Sequence, residues 1–340
     1  MPEKNKTCHG APAKATFQAP AKINLFLRVV SKRPDGYHEI RSLMQQVSLF
    51  DELDVEVSDN GSITVTTDSA EAPGGEKNLA FQAAAAFLGS IGVKKGVSIH
   101  IRKRIPVGAG LGGGSSDAAT VLMALNDMLG APLSEDDLRE LGARLGSDVP
   151  FFILKAAAIA AGRGEVLKKV DMPEHSYVLI NPGFQVSTAW VYGNLSLTKT
   201  GEDNNLSYSD ESFKDVKKLK DCLVNDLEAV TVLRYPEVSA LKRALVEHGA
   251  CGALMSGSGP TVFGLFETSA AASRAFASLS KAVESGAEPF SGAEPFSEAG
   301  PFSGAGPNAK AAPHSGRGPF FREGRLNGLR LFLVHGIGAR

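Results

Sequence analysis

The sequence has 340 residues, of which 43% are hydrophobic and 21% are charged, the proportions of a soluble globular protein. Its 36 Lys and Arg residues nearly balance its 37 Asp and Glu residues, so charge indicates neither nucleic acid nor an anionic membrane as a partner. No apolar run approaches the roughly 18 residues of a membrane span, and the first residues lack the apolar segment of a secretory signal. We expect a cytoplasmic protein with two domains.

The predicted elements of the first half are mostly strands. Residues 1–16 are small and polar and are expected to form a disordered lead. Alternating or β-rich segments predict strands, separated in one place by a Pro-Asp-Gly turn; they are 21–31, 43–57, 62–67 and 97–101. Three helices are expected, which are 78–87 with Asn78 as its cap, 117–129, and 134–145 with a capping box of Ser134 and Asp137.

The second half changes pattern beyond about residue 170. Strands are expected at 177–180, 261–266 and 329–334, and helices at 213–230, 236–248 and up to about 284. Strands in runs followed by helices indicate an α+β architecture. We therefore expect one domain over 17–170 and a second over 171–340.

A six-residue repeat occupies Ser285 to Asn308 and contains a proline in every copy. Such Pro- and Gly-rich sequence does not form regular ladders of hydrogen bonds. We expect a disordered insertion over about 285–324, in a surface connection where loop entropy tolerates added length. The three cysteines, which are Cys8, Cys222 and Cys251, have no metal-ligand spacing and fit a reducing compartment without disulfides.

The most informative segment joins the strand at 97–101 to the helix at 117–129. Its residues are Pro106, Val107, Gly108, Ala109, Gly110, Leu111, Gly112, Gly113, Gly114, Ser115 and Ser116. The glycines let the backbone approach a ligand closely, and Ser115 or Ser116 can cap the helix, whose N-terminus attracts anions. We predict a phosphate-binding loop of a nucleotide site. The basic run 102–104 just before it is expected to be a solvated strand end.

Other interpretations of this glycine loop remain open at this point. Gly108, Gly110 and Gly113 also fit the dinucleotide pattern G-x-G-x-x-G, although no acidic residue ends a following strand. The sequence has neither a P-loop motif nor the H-R-D and D-F-G motifs of protein kinases. A flexible glycine linker is the third interpretation, and the regular elements on both sides disfavour it.

Two more motifs accompany the glycine loop, Pro20–Asn24 before it and Met255–Pro260 after it. With these three motifs in this order, residues 17–284 resemble the GHMP kinases. The resemblance implies a two-domain α+β fold, with an N-terminal domain like the second domain of ribosomal protein S5 and a ferredoxin-like C-terminal domain. It also implies ATP and Mg²⁺ as cofactors, with the loop residues 106–116 around the ATP phosphates.

Within this superfamily, Arg33–His38 and Gly146–Phe151 resemble the kinases that act on a cytidine-diphosphate-linked methylerythritol. The resemblance implies transfer of the γ-phosphoryl group of ATP to the 2-hydroxyl of this small molecule. Lys22 and Asp148 match the catalytic residues, Asp148 accepting the hydroxyl proton and Lys22 offsetting charge in the transition state.

The resemblance further implies substrate contacts by Asn24, Tyr37, His38 and Thr188. Tyr37 would stack on the cytosine and His38 would bond to its edge, while Asn24 shares a strand face with Lys22. The metal ligands stay unassigned, with Ser116 as one candidate donor, and the sequence does not indicate an oligomeric state. Two alternatives remain: a GHMP kinase for homoserine or a mevalonate derivative, and a GHMP-like regulator that binds a ligand without transferring phosphate.

Overall fold

The computed structural model describes residues 13–196, 210–285 and 328–338. Its strands are β1 (Ala13–Lys32), β2 (His38–Ser58), β3 (Ile63–Thr67), β4 (Gly96–Arg102), β5 (Ala158–Ala161), β6 (Val166–Lys169), β7 (Ser176–Asn181), β8 (Val224–Asn225), β9 (Gly252–Met255), β10 (Val262–Phe266) and β11 (Arg330–His335). Its α-helices are α1 (Leu79–Ile91), α2 (Gly113–Met128), α3 (Glu135–Leu145), α4 (Val149–Leu154), α5 (Thr188–Gly193), α6 (Val216–Cys222), α7 (Glu228–Arg234), α8 (Glu237–Glu247) and α9 (Ser269–Glu284). Gly75–Lys77 and Asp210–Phe213 form short 3₁₀ helices.

The first sheet is built on a long hairpin of β1 and β2. Its strand order is β3-β4-β2-β1-β8, and β5 pairs with β2 and carries β6 on its other side. The hairpin closes at the predicted Pro-Asp-Gly turn, where Gly36 has a φ of 85° and its N–H donates to the Arg33 carbonyl. The two strands are longer than the sequence predicts. The expected disordered lead is wrong for residues 13–16, which pair with residues 54–57 of β2.

Helices α1 to α4 cover one face of this sheet and enclose its core. Phe87 of α1, Leu122 of α2, Phe151 of α4 and Ile99 of β4 belong to this one hydrophobic cluster, and all four are buried. Burial of one such side chain contributes about 1.5–3 kcal/mol. This layer holds the start of α2 and the start of α4 against the hairpin.

The second sheet is antiparallel, with strand order β11-β7-β10-β9. Its strands and helices follow one another as β-α-β-β-α-β, the succession of the ferredoxin-like motif. Ile180, Leu241, Leu245 and Leu279 form part of the core between this sheet and helices α8 and α9. The predicted strand 329–334 is present as β11 and pairs with β7. The short strand β8 leaves this half of the chain and pairs in parallel with β1 of the first sheet.

Two helix caps agree with the sequence prediction and one does not. The Asn78 side chain accepts from the Ala80 N–H at 2.9 Å, and Ser134 and Asp137 form a reciprocal capping box. The helix after the glycine loop begins earlier than predicted, because Gly112 is its N-cap with a φ of 70°. Ser115 and Ser116 therefore lie inside the helix and do not cap it.

Other elements differ from the sequence prediction. The apolar stretch after Asp148 forms α4 and β5, and β6 follows; none of the three was predicted. The helix expected over 213–230 is broken into α6, β8 and α7. The break comes at Asn225, whose side-chain amide donates to the carbonyls of Met255 and Gly257 at 2.8 and 2.7 Å.

Two sequence predictions fall on residues that are not described. The lead lies there apart from residues 13–16, and the insertion predicted at 285–324 lies there apart from Ser285, which ends α9. Both remain predictions. Among the described residues, no helix has the length and apolar character needed to cross a membrane.

Candidate active site

One cavity of about 1000 Å³ gathers most of the residues that the motifs single out. Its wall is formed by β1, the hairpin end of β2, the glycine loop, the turn before α4, and the start of α5. Nine of the eleven predicted loop residues line it, the exceptions being Leu111 and Ser116. The predicted catalytic and substrate residues also line it; they are Lys22, Asp148, Asn24, Tyr37, His38 and Thr188.

Lys22 and Asp148 form an ion pair at the centre of this wall. The Lys22 ammonium lies 3.4 Å from the Asp148 carboxylate, and the Lys22 side chain is only 6% exposed while that of Asp148 is 31% exposed. Lys22 also donates to Asn24 Oδ1 at 2.6 Å, as expected for two side chains on one face of a strand. The partly open carboxylate is thus accessible from the cavity beside a fixed cation.

A chain of hydrogen bonds orients Asn24. Its Nδ2 donates to Ser42 Oγ at 2.8 Å, and that hydroxyl donates to the Phe26 carbonyl at 2.6 Å. Because the amide nitrogen is used in this way, the amide oxygen faces the Lys22 ammonium. Asn24 therefore positions Lys22 in addition to lining the cavity.

The glycine loop is fixed by contacts that only glycine allows. Gly110 has a φ of 77°, and a side chain on it would collide with the carbonyl oxygen of Ser256. A Cβ on Gly112 would lie 3.0 Å from the Phe152 ring and 3.1 Å from Lys22. The loop is packed in place, which is the opposite of a flexible linker.

The second glycine turn at 255–260 holds the first one. Ser256 Oγ donates to the Gly110 carbonyl at 2.9 Å and accepts from the Asn24 N–H at 3.3 Å. The Thr188 and Ser258 hydroxyls are hydrogen-bonded to each other at 2.8 Å. This turn thereby joins the loop, β1 and α5 at one point.

A buried charge cluster lies beneath the start of α2. The Lys103 ammonium lies 2.5 Å from Asp51 and 2.8 Å from Asp117, and all three side chains are at most 6% exposed. The predicted solvated strand end is therefore wrong for Lys103, which also lines the cavity. Burial alone would lower the pKa of Lys103, but the two carboxylates together raise it.

Asp117 is the unusual member of this cluster. Burial raises its pKa to about 7, against the opposing effect of Lys103 and together with the repulsion of Asp51. Its Oδ1 has no hydrogen-bond partner among the described residues, and neither has the buried Ser116 hydroxyl. Asp117 and Ser115 line the cavity, whereas Ser116 does not. Ser115 and Asp117 are therefore the residues at this helix start that line the cavity and carry a side-chain oxygen.

The far end of the cavity is aromatic. Tyr37 is 54% exposed, and the guanidinium of Arg163 lies 5.0 Å from its ring centre. The rings of His38 and Tyr192 are stacked with centres 4.9 Å apart. Burial, and secondarily Lys32, lowers the pKa of His38. Its imidazole is therefore neutral near pH 7 and has both a donor and an acceptor.

The cavity residues that the sequence analysis did not predict include four charged or aromatic ones, which are Lys103, Asp117, Arg163 and Tyr192. Burial raises the pKa of Tyr192 to about 12, with a further contribution from the charge of Asp148. Tyr192 lies in α5 beside the predicted contact Thr188, and that proximity was the available signal. The other three lie in segments that appear structural from sequence alone.

Family comparisons agree with this geometry. Residues 78–156 match the family model for the GHMP kinases N terminal domain, and residues 209–285 match that for the GHMP kinases C terminal domain. A crystal structure of homoserine kinase from Cytophaga hutchinsonii has a TM-score of 0.62, 21% identity, and coverage of 80% of this chain and 90% of its own. At that identity the likeness concerns the fold alone.

Closer relatives carry one enzyme name. The chain is 51% identical over 252 residues to 4-diphosphocytidyl-2-C-methyl-D-erythritol kinase of Geobacter metallireducens, over 74% of this chain and 89% of the relative. It is 50% identical over 270 residues to the enzyme of the same name from Citrifermentans bemidjiense, over 79% and 95%. A crystal structure of 4-(cytidine 5'-diphospho)-2C-methyl-D-erythritol kinase has a TM-score of 0.67 and 38% identity, over 78% and 96%. The chain belongs to the 4-diphosphocytidyl-2-C-methyl-D-erythritol kinase family of the GHMP kinases.

Proposed function

We propose that the protein phosphorylates the 2-hydroxyl of 4-diphosphocytidyl-2-C-methyl-D-erythritol with ATP, a step in the non-mevalonate formation of isoprenoid precursors. The observation that carries the proposal is one cavity that contains a fixed Lys22–Asp148 pair, a glycine loop, and the exposed Tyr37 beside His38. The ion pair suits an alcohol, the glycine loop suits a triphosphate, and Tyr37 with His38 suits a pyrimidine. We also propose that the reaction takes place in the cytoplasm, because the scattered cysteines of the sequence fit a reducing compartment.

Asp148 acts on the attacking alcohol in this proposal. Its partly exposed carboxylate accepts the proton of the substrate hydroxyl, and the hydroxyl oxygen forms a bond to the γ-phosphorus. The bond between that phosphorus and the bridging oxygen breaks, and ADP leaves with its electron pair. Phosphoryl transfer asks the protein mainly for positioning and electrostatics, and the short Lys22–Asp148 separation supports both.

Lys22 and the glycine loop act on the phosphates. The Lys22 ammonium is held by Asn24 beside Asp148, where its charge offsets the negative charge that develops during transfer. The 16-residue helix α2 begins at the loop, so its free N–H groups and partial positive charge face the phosphates. The dense packing of Gly110 and Gly112 against neighbouring residues fixes the loop that carries these donors.

The proposal includes Mg²⁺, bound together with ATP. Mg²⁺ usually takes one or two carboxylates in addition to phosphate oxygens. Asp117, whose buried Oδ1 has no hydrogen-bond partner among the described residues, and Ser115 both line the cavity. These residues would hold the ion, while Ser116 lies behind the cavity lining. The bound ion would supply charge neutralisation at the phosphates.

Tyr37 and His38 select the substrate. The exposed Tyr37 ring offers a stacking surface for cytosine, and the neutral imidazole of His38 can both donate to and accept from the pyrimidine edge. Homoserine and mevalonate lack a nucleobase and would leave this end of the cavity empty.

The test is transfer of labelled phosphate from ATP to the cytidine compound, run beside homoserine, mevalonate and galactose. We expect product with the cytidine compound alone. Transfer to homoserine or mevalonate instead would replace the proposal by the corresponding GHMP kinase. A folded protein that binds ATP and transfers phosphate to none of the four would support the regulator.

A further inference from the structure

Arg163 lies on a turn that is close to two parts of the cavity, the Tyr37 ring and the turn that carries Asp148. On one side its guanidinium lies over the Tyr37 ring, 5.0 Å from the ring centre. On the other side its neighbour Gly164 is adjacent to the catalytic turn, since a Cβ there would lie 3.9 Å from Asp148 Oδ1. Arg163 itself lines the cavity, so its turn brings a cation to the Tyr37 ring and lies beside the turn that carries Asp148.

The turn that carries Arg163 is anchored to the hairpin. The Ile40 N–H donates to the Gly162 carbonyl at 2.9 Å, and the Gly162 N–H donates to Glu39 Oε1 at 2.9 Å. Glu165 accepts from the Arg163 N–H at 2.7 Å and lies 3.5 Å from its Nε. Within the described part of the chain that ion pair uses Nε, which leaves the two terminal nitrogens of the guanidinium for a ligand.

The other cavity cations are placed differently. Five basic residues of the described ranges line the cavity, namely Lys22, Lys32, Lys77, Lys103 and Arg163. Lys22 forms an ion pair with Asp148, and Lys103 forms ion pairs with the carboxylates of Asp51 and Asp117. Lys77 ends the 3₁₀ helix before α1, and Lys32 lies opposite His38 in the register of β1 and β2.

The proposed substrate has its diphosphate between the cytosine and the reacting alcohol. With cytosine at Tyr37 and the alcohol at Asp148, that diphosphate would cross the part of the cavity that Arg163 lines. A guanidinium presents two parallel N–H donors that match phosphate oxygens. The following inference rests on the proposed function. We propose that Arg163 binds the diphosphate of the cytidine substrate and so sets the distance between the cytosine and the general base Asp148.

The experiment compares cytidine with cytidine diphosphate, which differ only in the diphosphate. Binding is measured by calorimetry with the ATP site filled by a non-hydrolysable ATP analogue, in wild type, Arg163→Ala, Arg163→Lys and Lys32→Ala, which removes a competing cavity cation. Arg144→Ala, at an exposed side chain of α3, is the control. We expect Arg163→Ala to weaken cytidine diphosphate about tenfold, the effect of losing one charge-assisted contact at a partly exposed site. Cytidine should bind Arg163→Ala as it binds wild type, and Arg163→Lys should recover part of the loss.

Each unexpected result of this binding experiment would lead to a different conclusion about Arg163. Equal weakening of cytidine and its diphosphate in Arg163→Ala would show that the side chain only supports Tyr37, and would overturn the inference. An unchanged diphosphate preference in Arg163→Ala, or its loss in Lys32→Ala alone, would also overturn it while leaving the proposed function intact. If wild type binds neither ligand, the proposed function fails and the inference fails with it.

Discussion

The Lys22 ammonium and the Asp148 carboxylate lie 3.4 Å apart, although β1 carries the first and the turn before α4 carries the second. Lys22 is nearly buried and is bound on its other side by Asn24. Exposed ion pairs have little energetic value, but this one faces a cavity with one partner held in place. Its geometry suits charge placement for a reaction better than fold stability.

Replacing Asp148 by Asn should lower kcat by about 10²–10⁴-fold, the usual contribution of a general base. The amide keeps the shape of the carboxylate but does not accept the substrate proton. Steady-state kinetics with the cytidine compound measure this loss, and calorimetric ATP binding checks that the site is intact. Asp136→Asn, at an exposed carboxylate of α3, is the matched control and should retain wild-type turnover. Normal turnover in Asp148→Asn would remove the base from the mechanism.

Two substitutions of Tyr37 distinguish stacking on its ring from a hydrogen bond to its hydroxyl group. We expect Tyr37→Ala to raise the Kd for cytidine about tenfold, in line with the ~1–3 kcal/mol that one aromatic stack contributes per base. Tyr37→Phe keeps the ring and should bind cytidine nearly as wild type does. Calorimetry on both variants measures the difference. If Tyr37→Phe were as weak as Tyr37→Ala, the interaction would be a hydrogen bond and not a stack.

Cytidine binding should depend on pH through His38. Burial and Lys32 lower the pKa of His38, so the ring stays neutral down to below the usual value of about 6.5. Affinity should therefore be constant from about pH 8 to 7 and fall below about pH 6, when protonation removes the acceptor nitrogen. His38→Gln has a donor and an acceptor but does not titrate, and its affinity should not change over this range. A pH profile shared by both proteins would place the titrating group elsewhere.

The stability of the protein should change with pH through Asp117. Its pKa is about 7 in the folded state and about 4 when unfolded, so folding favours the protonated form. This contribution is fully present below about pH 4 and is lost as pH rises to about 7. Asp117→Asn resembles the protonated group, so its Tm should exceed that of wild type increasingly between about pH 5 and 8, by several degrees. Thermal unfolding without nucleotide measures this, and the exposed Asp127→Asn on the same helix should show no such trend.

Gly110→Ala tests whether the loop depends on contact with the second glycine turn. The added methyl group would collide with the Ser256 carbonyl, so we expect a KM for ATP raised at least tenfold and a lower Tm. Gly61→Ala is the matched control, because Gly61 has a similar φ of 72° but nothing within 4 Å of the added Cβ. It should show only the ~1–2 kcal/mol cost of left-handed backbone and normal ATP kinetics. Equal ATP effects in both variants would contradict the role of the contact.

Local chemistry explains which elements the sequence predicts well. Asn78 and the Ser134–Asp137 box form caps from residues two or three positions apart, and such signals are visible in any short window of sequence. Long-range contacts explain the errors. The predicted helix 213–230 is broken where Asn225 bonds to a turn thirty residues later, and no local preference encodes that competition.

The residues of the candidate site also fall into two groups, those that local motifs predict and those that depend on long-range contacts. The residues that match motifs, such as Lys22 and Asp148, are brought together in one cavity. Lys103 was predicted to be solvated because a run of basic residues usually is, yet Asp51 and Asp117 enclose it. Tyr192 and Arg163 come from separate parts of the chain and meet the hairpin end only in three dimensions.

The two-residue strand β8 has a consequence for how the chain can be divided. Val224 and Asn225 extend the first sheet at Phe26 and Leu27, and the adjacent Asp226 accepts from the Val29 N–H at 2.8 Å. A fragment ending near residue 170 would expose the unpaired backbone of this edge, a template for association with other chains. We therefore expect that the first half of this kinase does not fold correctly when it is expressed alone. Its sheet gains the edge strand β8 only after the second half has been synthesised.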